Sequence, residues 1–342
     1  MEAFRGVLES GRFILGPNVK AFEHEAAEFL GVPDTIGVAN GTDAIVIVLD
    51  ALGIGPGDEV ICPSFTFYAT AESIARRGAT PVFADIDPAT MNLDPADVAD
   101  RITPRTKAIM PVHLFGRPAP LGELAELGVP IVEDAAQAFG SPDIARTGIA
   151  STFSFYPSKN LFCLGDGGLI AVTDSELAER IRLLRFHGSR DKVDFELVGY
   201  NSRLDELQAA ALRIFLRRLD DWTGQRREAA ARYEELGLGE VCELPPDEAG
   251  HVYHLFVCRS PERDRIRAGL HENGIDTGVY YATPLHLQPA LSYLGWTEGS
   301  LPNTEQVARE NFSIPLWAGI DRATQEIVVE AVRQAAPVRG AT

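Results

Sequence analysis

Between about residues 35 and 175, short apolar runs recur at intervals, separated by stretches with a helical repeat. The runs are Glu59-Val60-Ile61-Cys62, Pro81-Val82-Phe83-Ala84, Ala108-Ile109-Met110-Pro111-Val112, Pro130-Ile131-Val132, Thr152-Phe153-Ser154-Phe155 and Leu169-Ile170-Ala171-Val172. They are near-continuous Val, Ile and Phe, with little alternation of apolar and polar positions. Strands covered on both faces have this character, so the pattern predicts a mainly parallel sheet wrapped by helices. Turn signals such as Gly55-Pro56-Gly57-Asp58 and Asp87-Pro88 punctuate the runs. From Ser202 to about Leu236 the pattern becomes helical. A long helix is expected over Leu204–Leu219, where apolar positions fall three and four apart. Beyond it, the strand-like Val252-Tyr253-His254-Leu255-Phe256-Val257 and a terminal helix near Ala323–Ala335 predict a smaller α+β lobe. The expected division is a large domain over residues 1–219, including an N-terminal arm, and a small C-terminal domain over 220–342.

Composition narrows the function class. No stretch approaches the roughly 20 uncharged apolar residues of a bilayer span. The opening Met1-Glu2-Ala3-Phe4-Arg5 lacks a basic segment followed by an apolar one, so a cytoplasmic location is expected. A net charge of −18 argues against a nucleic-acid partner, which demands a basic face, yet says nothing about a local anion pocket. Cys62, Cys163, Cys242 and Cys258 form no CxxC pair, and with seven dispersed histidines they give no metal-ligand spacing. The cysteines read as small buried hydrophobes.

Chemistry concentrates at two strand ends. Asp134 closes Val129-Pro130-Ile131-Val132-Glu133-Asp134, and in parallel α/β sheets ligands sit outside the carboxyl ends of the strands. Alone, Asp134 reads equally as a helix cap. Lys159 follows the next run by a few residues, in Phe153-Ser154-Phe155-Tyr156-Pro157-Ser158-Lys159-Asn160. The bland reading is a solvated loop lysine; a partly buried one becomes a nucleophilic amine. An amine to hold an aldehyde, and an acid to keep a pyridine nitrogen protonated, are what a pyridoxal phosphate (PLP) enzyme needs. Asn40-Gly41-Thr42-Asp43 opens an apolar helical run and offers free N–H groups for a phosphate, although many helices begin this way merely as caps. Phe65-Thr66-Phe67-Tyr68 follows a strand and supplies an aromatic to stack on the ring, or simply core. No G-x-G-x-x-G follows the first strand, which argues against a nicotinamide-binding enzyme.

Phosphate cradle, aromatic, strand-end acid, hydroxyl and lysine occur in the order found in fold-type I PLP enzymes. Over almost its whole length the chain resembles the DegT/DnrJ/EryC1/StrS family of sugar aminotransferases. The matching segments include Gly11-Arg12-Phe13-Ile14-Leu15-Gly16-Pro17, Asn40-Gly41-Thr42-Asp43-Ala44, Pro63-Ser64-Phe65-Thr66-Phe67, Glu133-Asp134-Ala135-Ala136-Gln137, the Lys159 segment and Asn201-Ser202-Arg203-Leu204-Asp205-Glu206-Leu207-Gln208. The resemblance implies a fold-type I PLP-dependent transferase with a mainly parallel sheet flanked by helices and a smaller α+β domain.

Residue by residue, the resemblance implies that Lys159 holds the coenzyme and moves the proton, while Asp134 pairs with the ring nitrogen. It gives Gln137 the ring hydroxyl, Gly41, Thr42 and Ser154 the phosphate, and Phe67 the ring face. Asn201 matches an asparagine that reaches the phosphate of a neighbouring subunit's coenzyme, which implies a homodimer with shared active sites; its bland reading is a turn or cap. The implied reaction moves an amino group, usually from L-glutamate, to a nucleotide-linked keto-sugar. The Asn-Ser-Arg-Leu-Asp-Glu-Leu-Gln form is most similar to relatives that aminate carbon 3 of a dTDP-keto-6-deoxyhexose. In the family the dehydratase branch replaces the lysine, commonly with histidine, so retention of Lys159 ranks a sugar dehydratase low. A non-catalytic sugar-binding member is the other alternative.

Three departures from the family pattern stand out. Tyr280-Tyr281-Ala282 replaces the common His-Tyr-Pro in a segment resembling one that lines the family's sugar pocket, so Tyr281 and His286 are weak candidate substrate contacts, with a structural reading the more expected of the two. The loop from Ala138 to Ser151 is several residues shorter than usual, and the lead before Gly11 is short.

Overall fold

The computed structural model describes residues 1–142 and 144–336; Asp143 of the short loop and the last six residues of the expected small domain lie outside the described residues. Its strands are β1 (Asp34–Val38), β2 (Glu59–Pro63), β3 (Thr80–Ala84), β4 (Thr106–Ile109), β5 (Val132–Asp134), β6 (Ala150–Ser154), β7 (Gly168–Val172), β8 (Phe256–Arg259) and β9 (Asn311–Ile314). β2 lies parallel to both β3 and β4, and β5 parallel to β6. Two parallel bridges, Ile109 with Ile131 and Val112 with Asp134, join these halves. β7 then runs antiparallel between β6 and β1. The resulting order is β3-β2-β4-β5-β6-β7-β1, with β7 reversed, in agreement with the expected mainly parallel sheet.

Alternate strand residues point to opposite faces, and both faces are buried. Val60 and Cys62 enter one core with Ile47, Val48 and Leu49 of the Gly41–Ala51 helix, while Ile61 between them enters a core with Ala84 and Ile109. Likewise Ile170 and Val172 join the first core, whereas Leu169 and Ala171 pack with Phe22, Phe153 and Leu212 on the other side. Double-sided burial explains why the strands read as unbroken apolar runs. All four cysteines are buried and free. Among the described residues no helix is long and apolar enough to cross a membrane, and no cluster of ligating side chains suits a metal ion.

Two expectations are corrected. The helix anticipated over Leu204–Leu219 is two helices, Glu206–Leu216 and Leu219–Glu235. The first packs Leu212 and Leu216 beside Phe22 of the Pro17–Leu30 helix; Leu219 anchors the turn in the same core, and the second carries Ala230 and Tyr233 into the C-terminal core. The strand-like run from Val252 narrows to β8, which pairs antiparallel with β9. Its first residues are diverted because the N–H groups of Val252 and His254 donate to Gly116 and Phe115 carbonyls at 2.8 Å. The C-terminal core draws on residues 230–336, yet Leu285, Leu291 and Leu301 pack into the first core, so the chain crosses back onto the large sheet between β8 and β9.

Candidate active site

The carboxyl ends of the parallel strands converge on one edge of the sheet. Asp134 closes β5 and Ser154 closes β6, and Ser154 lies opposite Gly168, which is also opposite Val38 at the end of β1. The Gly41–Ala51 helix starts at that edge, capped by the Asn40 side chain, which accepts from Asp43 N–H at 2.8 Å. No earlier turn supplies carbonyls to the N–H groups of Gly41 and Thr42, so the positive end of the helix is open there. Both glycines are required by space. A Cβ on Gly41 would stand 2.8 Å from Ser154 Cβ, and one on Gly168 only 2.4 Å from the Asn40 carbonyl oxygen. Backbone and hydroxyl thus form a narrow cradle of donors.

Asp134 is buried, 5% exposed. Thr70 Oγ1 donates to its Oδ2 at 2.8 Å, and Ala136 N–H donates to its Oδ1 at 3.2 Å. Burial pushes the carboxyl above the usual carboxylate range, against the pull of those two donors and of the Lys159 ammonium. The helix-cap reading of Asp134 is therefore only a local turn contact; its other oxygen serves Thr70.

Lys159 is half-buried in the turn after β6, its backbone N–H bonded to Tyr156 at 2.8 Å. Asn160 Nδ2 holds this turn by donating to the Val252 carbonyl at 2.8 Å. Burial drives the amine down to about 8, while the Asp134 carboxylate pulls the other way. At neutral pH a usable fraction of the amine is uncharged, so the solvated-lysine reading does not describe this side chain.

Around this pair, Gln137 is buried; its Oε1 accepts from Phe115 N–H at 2.7 Å and its Nε2 donates to Tyr281 Oη at 3.2 Å. Phe67 is 58% exposed, with its ring 6.2 Å from that of Tyr281. Asn201 stands on the surface, next to Ser202, whose Oγ accepts from Ala39 N–H at 3.0 Å. Among the described residues it makes no hydrogen bond to the other candidates. His286 lies apart: buried, with Nδ1 2.7 Å from Ser64 Oγ and Nε2 3.1 Å from Glu305 Oε1. With both ring nitrogens engaged, His286 fastens the crossing segment to the end of β2, and its structural reading prevails. Sequence reasoning missed Thr70, one helical turn beyond Thr66, and Phe115, whose backbone is left-handed (φ 57°); neither carries a signal in the chain.

The residues fit a phosphate-bearing pyridine aldehyde. The glycine cradle suits an oxyanion, the buried Asp134 carboxyl is bonded by no cation among the described residues, and the nearby amine is drawn toward neutrality.

Comparison with known proteins agrees. The chain is 47% identical to the "Pleiotropic regulatory protein" of Geobacillus stearothermophilus over 98% of this chain and 93% of that one. It is 45% identical to the dTDP-3-amino-3,4,6-trideoxy-alpha-D-glucose transaminase of Streptomyces venezuelae, over 97% and 90%. Among solved structures, S. venezuelae DesV in complex with a ketimine intermediate superposes with a TM-score of 0.94 at 45% identity, covering 97% of this chain and 93% of that one. The model of the DegT/DnrJ/EryC1/StrS aminotransferase family matches residues 1–333, and the chain belongs to that family.

Proposed function

We propose that this protein is a PLP-dependent aminotransferase that moves an amino group from an amino acid, with L-glutamate as donor, to a nucleotide-linked keto-sugar, with a dTDP-3-keto-6-deoxyhexose as the substrate class. The observation that carries it is the meeting of Lys159 and Asp134 at one strand edge, where each perturbs the other's ionisation. The similarity to a dTDP-amino-sugar transaminase supports the substrate class.

When bound, PLP supplies an aldehyde that captures amines and a cationic ring that accepts the electron pair of a breaking C–H bond. Gly41 and Thr42 N–H groups and the Ser154 hydroxyl would seat its phosphate, Phe67 would cover a ring face, and Gln137 would donate to the ring oxygen. Buried Asp134 would pair with the ring nitrogen and keep it protonated. Lys159 would hold the aldehyde, and its amine, drawn toward neutrality by burial, could take a proton from the donor's α-carbon and return it elsewhere. Retention of both groups argues against a dehydratase and against a non-catalytic scaffold.

Adding L-glutamate to the purified holoenzyme is expected to bleach the visible coenzyme band and build a near-ultraviolet one, without any sugar present. A band that no amino-acid donor moves would contradict the transaminase reading.

We also propose a homodimer in which Asn201 serves the neighbouring subunit's phosphate site. Asn201 is exposed, and Val193, Phe195 and Val198 in the preceding loop are 75%, 61% and 95% exposed, an apolar patch suited to a second copy of the chain. Sedimentation equilibrium at micromolar concentration should return twice the chain mass. A fully active monomer would refute shared sites.

A further inference from the structure

The amide of Gln137 is held from two directions. A backbone N–H only donates, and of the two ends of the amide only the oxygen can accept, so the 2.7 Å contact with Phe115 N–H fixes which end is Oε1. Phe115 sits in the turn after β4 in a left-handed conformation, and its own carbonyl accepts from His254 N–H at 2.8 Å. The other end of the amide, Nε2, is donor-only and lies 3.2 Å from Tyr281 Oη. Tyr281 must therefore accept from Gln137, and its phenolic hydrogen is directed elsewhere. Among the described residues that hydrogen meets no acceptor. The phenol ring is fixed by Phe65 and Phe67, with centroids 6.1 and 6.2 Å away. Burial holds the hydroxyl well above the ordinary tyrosine range, so it stays protonated and can act only as a donor toward an anion.

We propose that Tyr281 is a positioning residue for the coenzyme rather than a sugar contact: it locks the Gln137 amide with nitrogen presented to the ring oxygen, and keeps its own hydroxyl proton available as a second donor at that end of the site. This rests on the PLP reading above and extends it, because it links residues returning from the C-terminal lobe to the electronics of the coenzyme. Donors at the ring oxygen favour its anionic form, so their loss makes the chromophore hold its proton to higher pH.

The test uses holoenzyme with Tyr281→Phe, which keeps the ring packed and removes the hydroxyl. PLP should dissociate about tenfold more readily, and the pH midpoint of the visible band should rise by about one unit, as for loss of a hydrogen bond to a charged group. Gln137→Glu keeps the acceptor for Phe115 N–H but removes the donor, and its midpoint should rise too. Adding Tyr281→Phe to Gln137→Glu should then change little, since the tyrosine already donates to the introduced carboxylate. A Tyr281→Phe holoenzyme with unchanged midpoint and unchanged PLP affinity overturns the proposal, whatever its melting temperature. Equal shifts in both backgrounds overturn the route through Gln137. Should Tyr281→Phe fail to fold, an unchanged midpoint in Gln137→Glu overturns it alone. Wild-type protein with no visible band at all would sink the PLP reading first, and this inference with it.

Discussion

Asp134→Asn is expected to lower turnover by about 10³-fold while leaving a folded protein that still binds PLP. The magnitude follows from losing one fixed charge aimed at a reacting centre in a water-poor site, typically 10²–10³-fold or more. An amide cannot hold the ring nitrogen protonated, so the electron sink weakens although the coenzyme remains anchored through its phosphate and through Lys159. The fold tolerates the change for a visible reason. Thr70 Oγ1, which donates to Oδ2, also lies 3.2 Å from Thr66 Oγ1, so its hydroxyl can turn to Thr66 and accept from the new amide. Asp134 has a raised ionisation range because burial disfavours its charge, and in the coenzyme-free protein that charge costs stability above its titration. The coenzyme-free variant should therefore melt no lower than wild type at pH 8. Normal turnover in Asp134→Asn would remove the acid from the mechanism.

Lys159→Ala is expected to be the more severe lesion, with turnover reduced by about 10⁴-fold or more, because the same amine holds the coenzyme and transfers the proton. Its pH behaviour is specific. The amine attacks an aldehyde only when neutral, and burial sets its titration at about 8. Capture of added PLP by coenzyme-free wild type should thus accelerate as pH rises through 8 and level off above it. A plateau reached only near pH 10 would mean that the side chain is solvated. In Lys159→Ala the visible band should be absent at every pH, and small exogenous amines should restore part of the proton transfer.

Asp134 and Lys159 were legible as candidates because strands buried on both faces announce themselves as unbroken apolar runs, and the residues at and just beyond their ends are then expected to face the ligand edge. Ser154 and Asp134 come to that edge for this reason, while Gly41 is located as the start of an apolar helical run. The mainly parallel sheet follows from the same pattern, whereas the fold-type I assignment comes from the order of the site residues and the family resemblance they carry. Contacts made across long separations left no trace. Glu206 accepts from the Asn18 and Val19 N–H groups at 3.0 and 2.7 Å, capping a helix almost 190 residues upstream. Thr70 reaches Asp134 from the first turn of the Ala69–Arg76 helix. The break between Leu216 and Leu219 is set by which core each side enters, not by proline or glycine, so periodicity ran straight through it. His286 shows the converse limit: a histidine beside a family motif looks chemical until both its nitrogens prove to be taken.

The chain contains four lysines, Lys20, Lys107, Lys159 and Lys192, so covalent attachment can be assigned without ambiguity. Reducing the holoenzyme with sodium borohydride and mapping its peptides should place the pyridoxyl mass on the peptide carrying Lys159 and on no other. Label on any of the other three, or on none while the visible band is present, would contradict the account.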